Sequence, residues 1–337
     1  MKRPYLLPLL PIYAAASAFY TSLCRRGYLQ QWRLQSPVIS VGNLSTGGSG
    51  KTPLVIALAN LLVRQGYDVD VLSRGYRRRS SGVRQVNPAG DASEFGDEPL
   101  LLARNYGLNV MVGADRWRAG LLAESHHAKE SRRLIHLLDD GLQHHRLLRT
   151  LDVVLVRESD TRDFLLPVGN LRQSLYALNR ASILGIYAEE MHILPRLRRM
   201  NLLQPVWTLH RKMIIPTRTG PVFAFCGIAR PQQFFSGLKA AGLELAGKLA
   251  FHDHHAFTMR DIQQVALLAL RYGAKAIVTT EKDSVRLSEW MVATLEQTAP
   301  LQIIGLEISF DDEQRVFDDL VDSIGPPDHP INATLTL

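Results

Sequence analysis

Pro37-Val38-Ile39-Ser40-Val41-Gly42-Asn43-Leu44-Ser45-Thr46-Gly47-Gly48-Ser49-Gly50-Lys51-Thr52-Pro53 decides the fold of this chain. Its opening, Val38 to Val41, is apolar and β-branched, the composition of a short buried strand. A glycine-rich turn follows, and from Pro53 to Arg64 the residues Leu54, Leu58, Leu61 and Leu62 recur at helical spacing. Strand, glycine loop and helix together wrap backbone N–H groups around a phosphate and aim a helix N-terminus at the same anion. In that arrangement Lys51 reaches the β- and γ-phosphates of a nucleoside triphosphate and Thr52 ligates Mg²⁺. The common pattern has a glycine five residues before the Gly-Lys pair, where this chain has Ser45. Gly47, Gly48, Ser49, Gly50, Lys51 and Thr52 are therefore the expected nucleotide contacts, with ATP and Mg²⁺ as cofactors.

Working outward, Asp68 to Ser73 reads as the next strand, which makes the opening of a parallel α/β domain. Asn109 to Val112, Arg133 to Leu138, Asp152 to Val156 and Ala181 to Ile186 continue it, with helices from Glu98 to Asn105 and Asp115 to Ala123 between them. Leu202 to Pro216 carries prolines, basic residues and only short β-like runs, and reads as a linker. From Pro221 the pattern restarts with a strand at Val222 to Cys226, helices from Pro231 to Ala241 and Met259 to Tyr272, and strands at Lys275 to Thr279 and Leu301 to Ile308. The expected division is an N-terminal membrane-associated helix at 1–30, a P-loop core at 31–201, a linker at 202–220, a second, smaller α/β domain at 221–325 and a tail at 326–337.

Hydrophobic content of 46% and charged content of 21% exclude both a disordered chain and a polytopic membrane protein. The net charge of +7, with clusters at Arg77-Arg78-Arg79 and around Arg196, Arg198 and Arg199, suits nucleic acid, an anionic membrane or a phosphorylated substrate equally. Solvated arginines account for it as well. Cys24 and Cys226 are too few for a disulfide framework or a cysteine zinc site, which favours a reducing compartment.

From Pro4 to Cys24 there is no charged side chain, while Lys2 and Arg3 precede the run and Arg25 and Arg26 follow it. A cleaved signal peptide and a buried core helix compete for this stretch. Against the first, the ATP implied by the phosphate loop is cytosolic. Against a clean span, Pro4, Pro8 and Pro11 interrupt a run that barely reaches the roughly 20 apolar residues a bilayer requires. A helix lying in or dipping into the membrane, with Arg25, Arg26 and Arg33 at the headgroups, is the favoured reading.

Four further motifs carry chemistry. Asp139-Asp140-Gly141 ends an apolar strand, where a carboxylate holds Mg²⁺ in proteins with a P-loop upstream. Gly96-Asp97-Glu98-Pro99 either caps a helix or supplies paired carboxylates. His252-Asp253-His254-His255 suggests a metal, but adjacent imidazoles do not readily face one ion, so a catalytic or substrate-facing histidine fits better. Thr279-Thr280-Glu281-Lys282-Asp283 is a polar cluster at a strand's end, where open α/β sheets place ligands.

In order and spacing these motifs, with Ser73-Arg74-Gly75-Tyr76, Gln143-His144, Leu166-Pro167 through Leu171-Arg172 and Cys226-Gly227-Ile228-Ala229-Arg230-Pro231, resemble the tetraacyldisaccharide 4′-kinases of lipid A biosynthesis in Gram-negative bacteria. The likeness runs over nearly the whole chain. It implies a membrane-associated P-loop kinase that moves the γ-phosphate of ATP to the 4′-hydroxyl of a tetraacylated glucosamine disaccharide 1-phosphate. The implied base is Asp97, assisted by His254 or, alternatively, His255. Lys51, Asp139 and Asp140 inherit catalytic roles, with Thr52, Asp139 and Asp140 around Mg²⁺. Tyr76, Glu98, Arg116, Gln143, His144, Asn170 and Arg172 fall near the acceptor or the nucleotide. The implied partners are the lipid substrate and the cytoplasmic leaflet of the inner membrane, with no nucleic acid and no required protein partner. Two positions depart from the family: Leu142 replaces a frequent phenylalanine, and Gln173-Ser174 replaces an acid-proline pair. A soluble P-loop kinase or ATPase for a small metabolite, and a nucleotide-gated membrane-binding switch, are the competing readings.

Overall fold

The computed structural model describes residues 3–48, 50–76, 78–127, 133–217 and 220–324. Ser49 of the glycine loop, Arg77 of the basic cluster and the expected tail at 326–337 lie outside the described residues. The strands are β1 (Val38–Asn43), β2 (Asp68–Ser73), β3 (Arg84–Gln85), β4 (Asn109–Val112), β5 (Leu134–Asp139), β6 (Leu151–Leu155), β7 (Ile183–Tyr187), β8 (Val206–Ile214), β9 (Val222–Cys226), β10 (Leu245–Ala250), β11 (Ala276–Thr280) and β12 (Leu301–Phe310). They form one twelve-stranded sheet in the order β10-β9-β11-β12-β8-β7-β6-β1-β5-β2-β4-β3.

β1 is central to the first half because all six of its residues are buried, with β5 and β6 paired parallel on either side. On one face the helix Lys51–Arg64 buries Leu54, Val55, Leu58, Leu61 and Leu62, beside the helix Asp97–Tyr106 and Val316 and Leu320 of the last helix, Glu313–Ile324. In the second half β9 is sandwiched, packing Phe223 and Phe225 toward the helix Met259–Arg271 and Ala224 and Cys226 toward Phe234 and Leu238.

The pairing is parallel except at β3 with β4 and at β8 with β12. The second exception joins the halves. β8 pairs with β7 through Val206 to Leu209 and then with β12 through Leu209 to Ile214. β12 in turn pairs with β11 through Leu301 to Ile304 and with β8 only from Gly305 onward. Each strand leaves its own half at the carboxyl edge and meets the other antiparallel, so the two carboxyl edges face each other across a two-stranded ribbon. Within the segment expected as a linker at 202–220, Val206–Ile214 forms one continuous strand. Alternating burial of Trp207 and Leu209 fixes its start, and exposed His210, Arg211 and Lys212 mark where it leaves the sheet.

The N-terminus forms a 3-10 helix, Pro4–Leu9, and an α-helix, Leu10–Arg25, consistent with the prolines at its start. Pro4–Cys24 is 21 residues of mean hydropathy 1.4 with none of its apolar window buried, which removes the core-helix reading. Tyr5, Ile12 and Phe19 face outward. The helix is tied to the body by the Arg3 amide, donating to Val168 O at 3.1 Å, and the Tyr13 hydroxyl, donating to Arg172 O at 3.0 Å.

Candidate functional site

The glycine loop leaves β1 at the carboxyl edge, as the sequence requires. Gly50 sits at φ +94° as the N-cap of the helix Lys51–Arg64. The loop Cys226 to Pro231 comes over it from the other half, putting Ala229 Cβ 3.9 Å from where a side chain at Gly47 would begin. Lys51 Nζ donates to Asn43 Oδ1 at 3.0 Å and lies 3.3 Å from Asp140 Oδ1. Arg172 grips the same carboxylate with both terminal nitrogens, at 2.8 and 2.7 Å, and also reaches Asn43 Oδ1 at 2.6 Å. Gln143 donates to Asn43 O at 2.9 Å, and the Thr46 amide donates to Asn170 O at 2.8 Å, so both expected residues brace the loop. The Asn170 amide is itself held by Asp163 Oδ2 at 3.0 Å. Beside Thr46 a cleft of about 220 Å³ opens toward Asp160, Asp163 and Arg230.

Asp139 ends β5 and is buried, with Oδ1 lacking a hydrogen-bond partner among the described residues. Burial, together with the carboxylates of Glu98 and Asp140, pushes its carboxyl up to about 7. For Asp140 burial works in the same direction, but the Arg172 hydrogen bonds and the Lys51 charge outweigh it and hold the carboxyl well below the usual range. Arg116 is buried, with Nε lacking a partner among the described residues; burial beside Arg74 lowers it to about 10. Burial and the charges of Arg116 and Arg149 push His144 down to about 4, so it is neutral at physiological pH. Buried polar atoms without partners cost about 1–3 kcal/mol each, and their concentration here marks a seat for a charged ligand. The orphaned Asp139 oxygen, with Asp140 next to it in sequence and Thr52 in the first turn of the helix after the glycine loop, offers hard oxygen donors of the kind that fit Mg²⁺. Should these oxygens take Mg²⁺, its affinity is expected to fall about tenfold per pH unit below 7, because binding needs the ionised carboxyl. Calorimetric titrations with Mg²⁺ across pH 5.5 to 8 check it, and a flat profile contradicts it.

The second half brings up the other expected cluster. Asp97 begins the helix Asp97–Tyr106 after Gly96, whose φ of +93° favours glycine and where an added Cβ would fall 3.2 Å from Gly75 Cα and Tyr76 O, a tight fit. His254 Nδ1 lies 2.8 Å from Asp97 Oδ2. Tyr76 meets the His254 ring edge-on at 5.6 Å between centroids. His255 is turned elsewhere, with Nε2 3.0 Å from Asp261 Oδ2 and its ring stacked on Phe251. Asp140 at φ +54° and His254 at φ +58° are two of three non-glycine residues with positive φ among those described. Strain of this kind persists where surroundings hold a functional geometry.

Arg286 escaped the sequence reading. Its guanidinium donates to His255 O at 2.8 Å and Gly227 O at 3.1 Å, pairs with Asp283, and has Nε 3.5 Å from Asp97 Oδ2. Asp283, fully buried, also accepts from the Gly227 amide at 3.0 Å. The only local signal was its position three residues after Asp283. Burial alone would raise the Asp97 carboxyl, but the His254 hydrogen bond and the Arg286 and Lys282 charges bring it below the usual range.

The sequence profile of the family described as tetraacyldisaccharide-1-P 4′-kinase (LpxK) matches residues 2–325. The tetraacyldisaccharide 4′-kinase of Koribacter versatilis (strain Ellin345) is 38% identical over 328 residues, covering 93% of this chain and 97% of the relative. That of Shewanella sediminis (strain HAW-EB3) is 37% identical over 297 residues, covering 85% and 82%. Among solved structures, LpxK from Aquifex aeolicus in complex with ATP is similar at a TM-score of 0.74 and 28% identity, covering 96% of this chain and 99% of that one.

Proposed function

The chain belongs to the tetraacyldisaccharide-1-P 4′-kinase family, and from that premise we propose how its residues divide the reaction. The protein is an ATP-dependent phosphotransferase that phosphorylates the 4′-hydroxyl of a tetraacylated glucosamine disaccharide 1-phosphate, the lipid A step that yields lipid IVA. A soluble kinase for a small metabolite is not favoured. The observation that carries the division of roles is the 2.8 Å pairing of Asp97 with His254 beside the P-loop.

Gly47, Gly48, Ser49, Gly50 and Lys51 cradle the triphosphate, and Lys51 neutralises charge on the transferring group. Thr52, Asp139 and Asp140 would hold Mg²⁺, which would supply charge neutralisation for the transferring phosphoryl group. Asp97 takes the proton of the 4′-hydroxyl as the new P–O bond forms and the γ-phosphorus bond to the departing ADP oxygen breaks, and His254 orients the carboxylate. Arg172 keeps Asp140 ionised and fixes Asn43 against Lys51. Arg116, His144, Gln143, Asn170, Glu98 and Tyr76 line the acceptor and nucleotide surfaces. Residues 31–201 and 221–325 act as two units about the β8–β12 ribbon, whose facing carboxyl edges bring Asp97 and His254 together.

The acceptor keeps its acyl chains in lipid, each buried CH₂ being worth about 0.8 kcal/mol, so the sugar must be reached at the membrane surface. The exposed apolar helix Leu10–Arg25, hydrogen-bonded through Tyr13 to the backbone of Arg172, supports docking on the cytoplasmic leaflet beside the site. Ile12→Asp and Phe19→Asp are each expected to weaken partition onto anionic vesicles roughly tenfold or more. Vesicle sedimentation tests this, and unchanged partition in the double variant removes the anchor. Phosphorylation of a tetraacyl disaccharide 1-phosphate in mixed micelles, with Lys51→Ala as the inactive control, tests the roles as a whole.

A further inference from the structure

Lys282 lies at the centre of the cluster in which Asp97 and His254 meet, yet nothing in the division of roles above uses it. Its Nζ is 3.0 Å from Glu98 Oε1 and 3.3 Å from His254 Nε2. Glu98 comes from the first half of the sheet and Lys282 and His254 from the second, so the ammonium bridges the cleft. A second link runs parallel to it, from the Tyr106 hydroxyl to Glu281 Oε1 at 2.9 Å.

An ammonium has three N–H donors and no acceptor. Facing one, a ring nitrogen within hydrogen-bond reach presents its lone pair. His254 Nε2 is then the acceptor, and the single proton of the neutral imidazole sits on Nδ1, where it donates to Asp97 Oδ2 2.8 Å away. The opposite tautomer puts the Nε2 hydrogen against the ammonium and the Nδ1 lone pair against a carboxylate, two repulsive contacts in a largely buried site. We infer that Lys282 is a positioning residue for phosphoryl transfer, which fixes His254 as the Nδ1–H tautomer and so holds Asp97 in one orientation.

The surroundings explain why the ring needs such a partner. The charged and titratable groups facing His254 are Asp97 at Nδ1, Asp253 with Oδ2 3.9 Å from Nε2, Glu98 through Lys282, Arg286 against Asp97, and the edge of Tyr76. Without Lys282 the imidazole lies among three carboxylates, Asp97, Glu98 and Asp253. Nothing then disfavours a hydrogen on Nε2, which faces the Asp253 carboxylate, and the tautomer is no longer fixed. Burial disfavours the Lys282 ammonium, but the Glu98 and Asp253 charges more than compensate and keep it protonated through the neutral range.

The inference rests on the reading of Asp97 as the base, and the test separates the two. The full-length protein with ¹⁵N-labelled histidine is compared as wild type, Lys282→Met and Lys282→Arg, with His254→Gln assigning the resonances. In the wild type His254 Nε2 is expected to show the unprotonated signature, and in Lys282→Met to lose it. The kcat of Lys282→Met is expected to fall roughly 10- to 100-fold, a fraction of what positioned acid–base groups contribute, with the KM for ATP within about twofold. Lys282→Arg is expected to restore part of both readouts. An unchanged His254 spectrum in Lys282→Met overturns the inference whatever the activity. A changed spectrum with wild-type kcat overturns it too, because fixing the tautomer then does nothing for the reaction. Failure of the base reading shows elsewhere, as retained activity in Asp97→Asn, and leaves the tautomer result readable by itself.

Discussion

Asp97→Asn is expected to lower kcat by about 10²- to 10⁴-fold, the range a positioned general base contributes, while the KM for ATP stays near the wild-type value. The substitution preserves shape, and the amide oxygen can still accept the His254 Nδ1–H bond now made at 2.8 Å. What it removes is the negative charge and the ability to take a proton. The carboxyl is held below its usual range by His254, Arg286 and Lys282, which makes it a weak base in the ground state. That is compatible with phosphoryl transfer, whose loose transition state places little negative charge demand on the nucleophile until bond formation is advanced. The carboxylate then orients the hydroxyl first and receives its proton late. The depressed value also sets the sign of the pH response. Asp97 stays ionised down through the ordinary carboxylate range, so its own protonation contributes no fall in rate between pH 7 and 5.5. An Asp97→Asn protein with native thermal unfolding and more than a third of wild-type kcat would sink the base assignment.

The phosphate loop was legible because its information is local: glycines that permit positive φ, a lysine, and an apolar strand and helix on either side. The departure at Ser45 is structural in origin. That residue is buried, and its backbone accepts the Asn43 side chain at 2.8 Å and bridges to Leu171, so the loop is braced by neighbours where the common pattern has a glycine. The pairing of Asp97 with His254 spans 157 positions, and no periodicity in the sequence encodes it. Resemblance to a family supplied the pair of motifs, and the facing carboxyl edges of the two half-sheets supply the physical reason they meet. Arg286 was invisible because its role depends on two backbone carbonyls, at Gly227 and His255, that only the folded loops bring within reach. The full length of the ribbon strand β8 is not legible for a related reason. Beyond Leu209 three consecutive exposed residues, His210, Arg211 and Lys212, break the alternation that identifies a half-buried strand. Strand β10, Leu245-Ala246-Gly247-Lys248-Leu249-Ala250, has no β-branched residue and sits at the sheet's edge, so pattern reading passes it over.

Gly50→Ala should lower kcat/KM by roughly 30- to 10⁴-fold while leaving the sheet intact. Two independent penalties fall on one methyl group. The backbone at φ +94° and ψ 21° lies beyond the left-handed region that non-glycine residues tolerate, a strain of about 1–3 kcal/mol. The added Cβ also falls 2.0 Å from the Tyr187 hydroxyl. Tyr187 cannot step aside. It is 1% exposed, with the Arg157 and Arg211 guanidiniums 4.9 and 5.0 Å from its ring centroid, and Arg157 is pinned by Glu190 at 2.9 Å. Overpacking of this kind costs about 1–3 kcal/mol, so the two together reach about 2–6 kcal/mol, or roughly 30- to 10⁴-fold in kcat/KM. A double-mutant cycle divides them. Tyr187→Phe alone is expected to change kcat/KM by less than about threefold. Added to Gly50→Ala it removes the 2.0 Å contact and leaves the ring carbon at 3.3 Å, so it restores the steric share but not the backbone share. Full rescue in the double variant would mean that the positive φ is not required for phosphate binding. No rescue would mean that the loop has already moved away from Tyr187, and either result would show which of the two constraints holds the phosphate loop in shape.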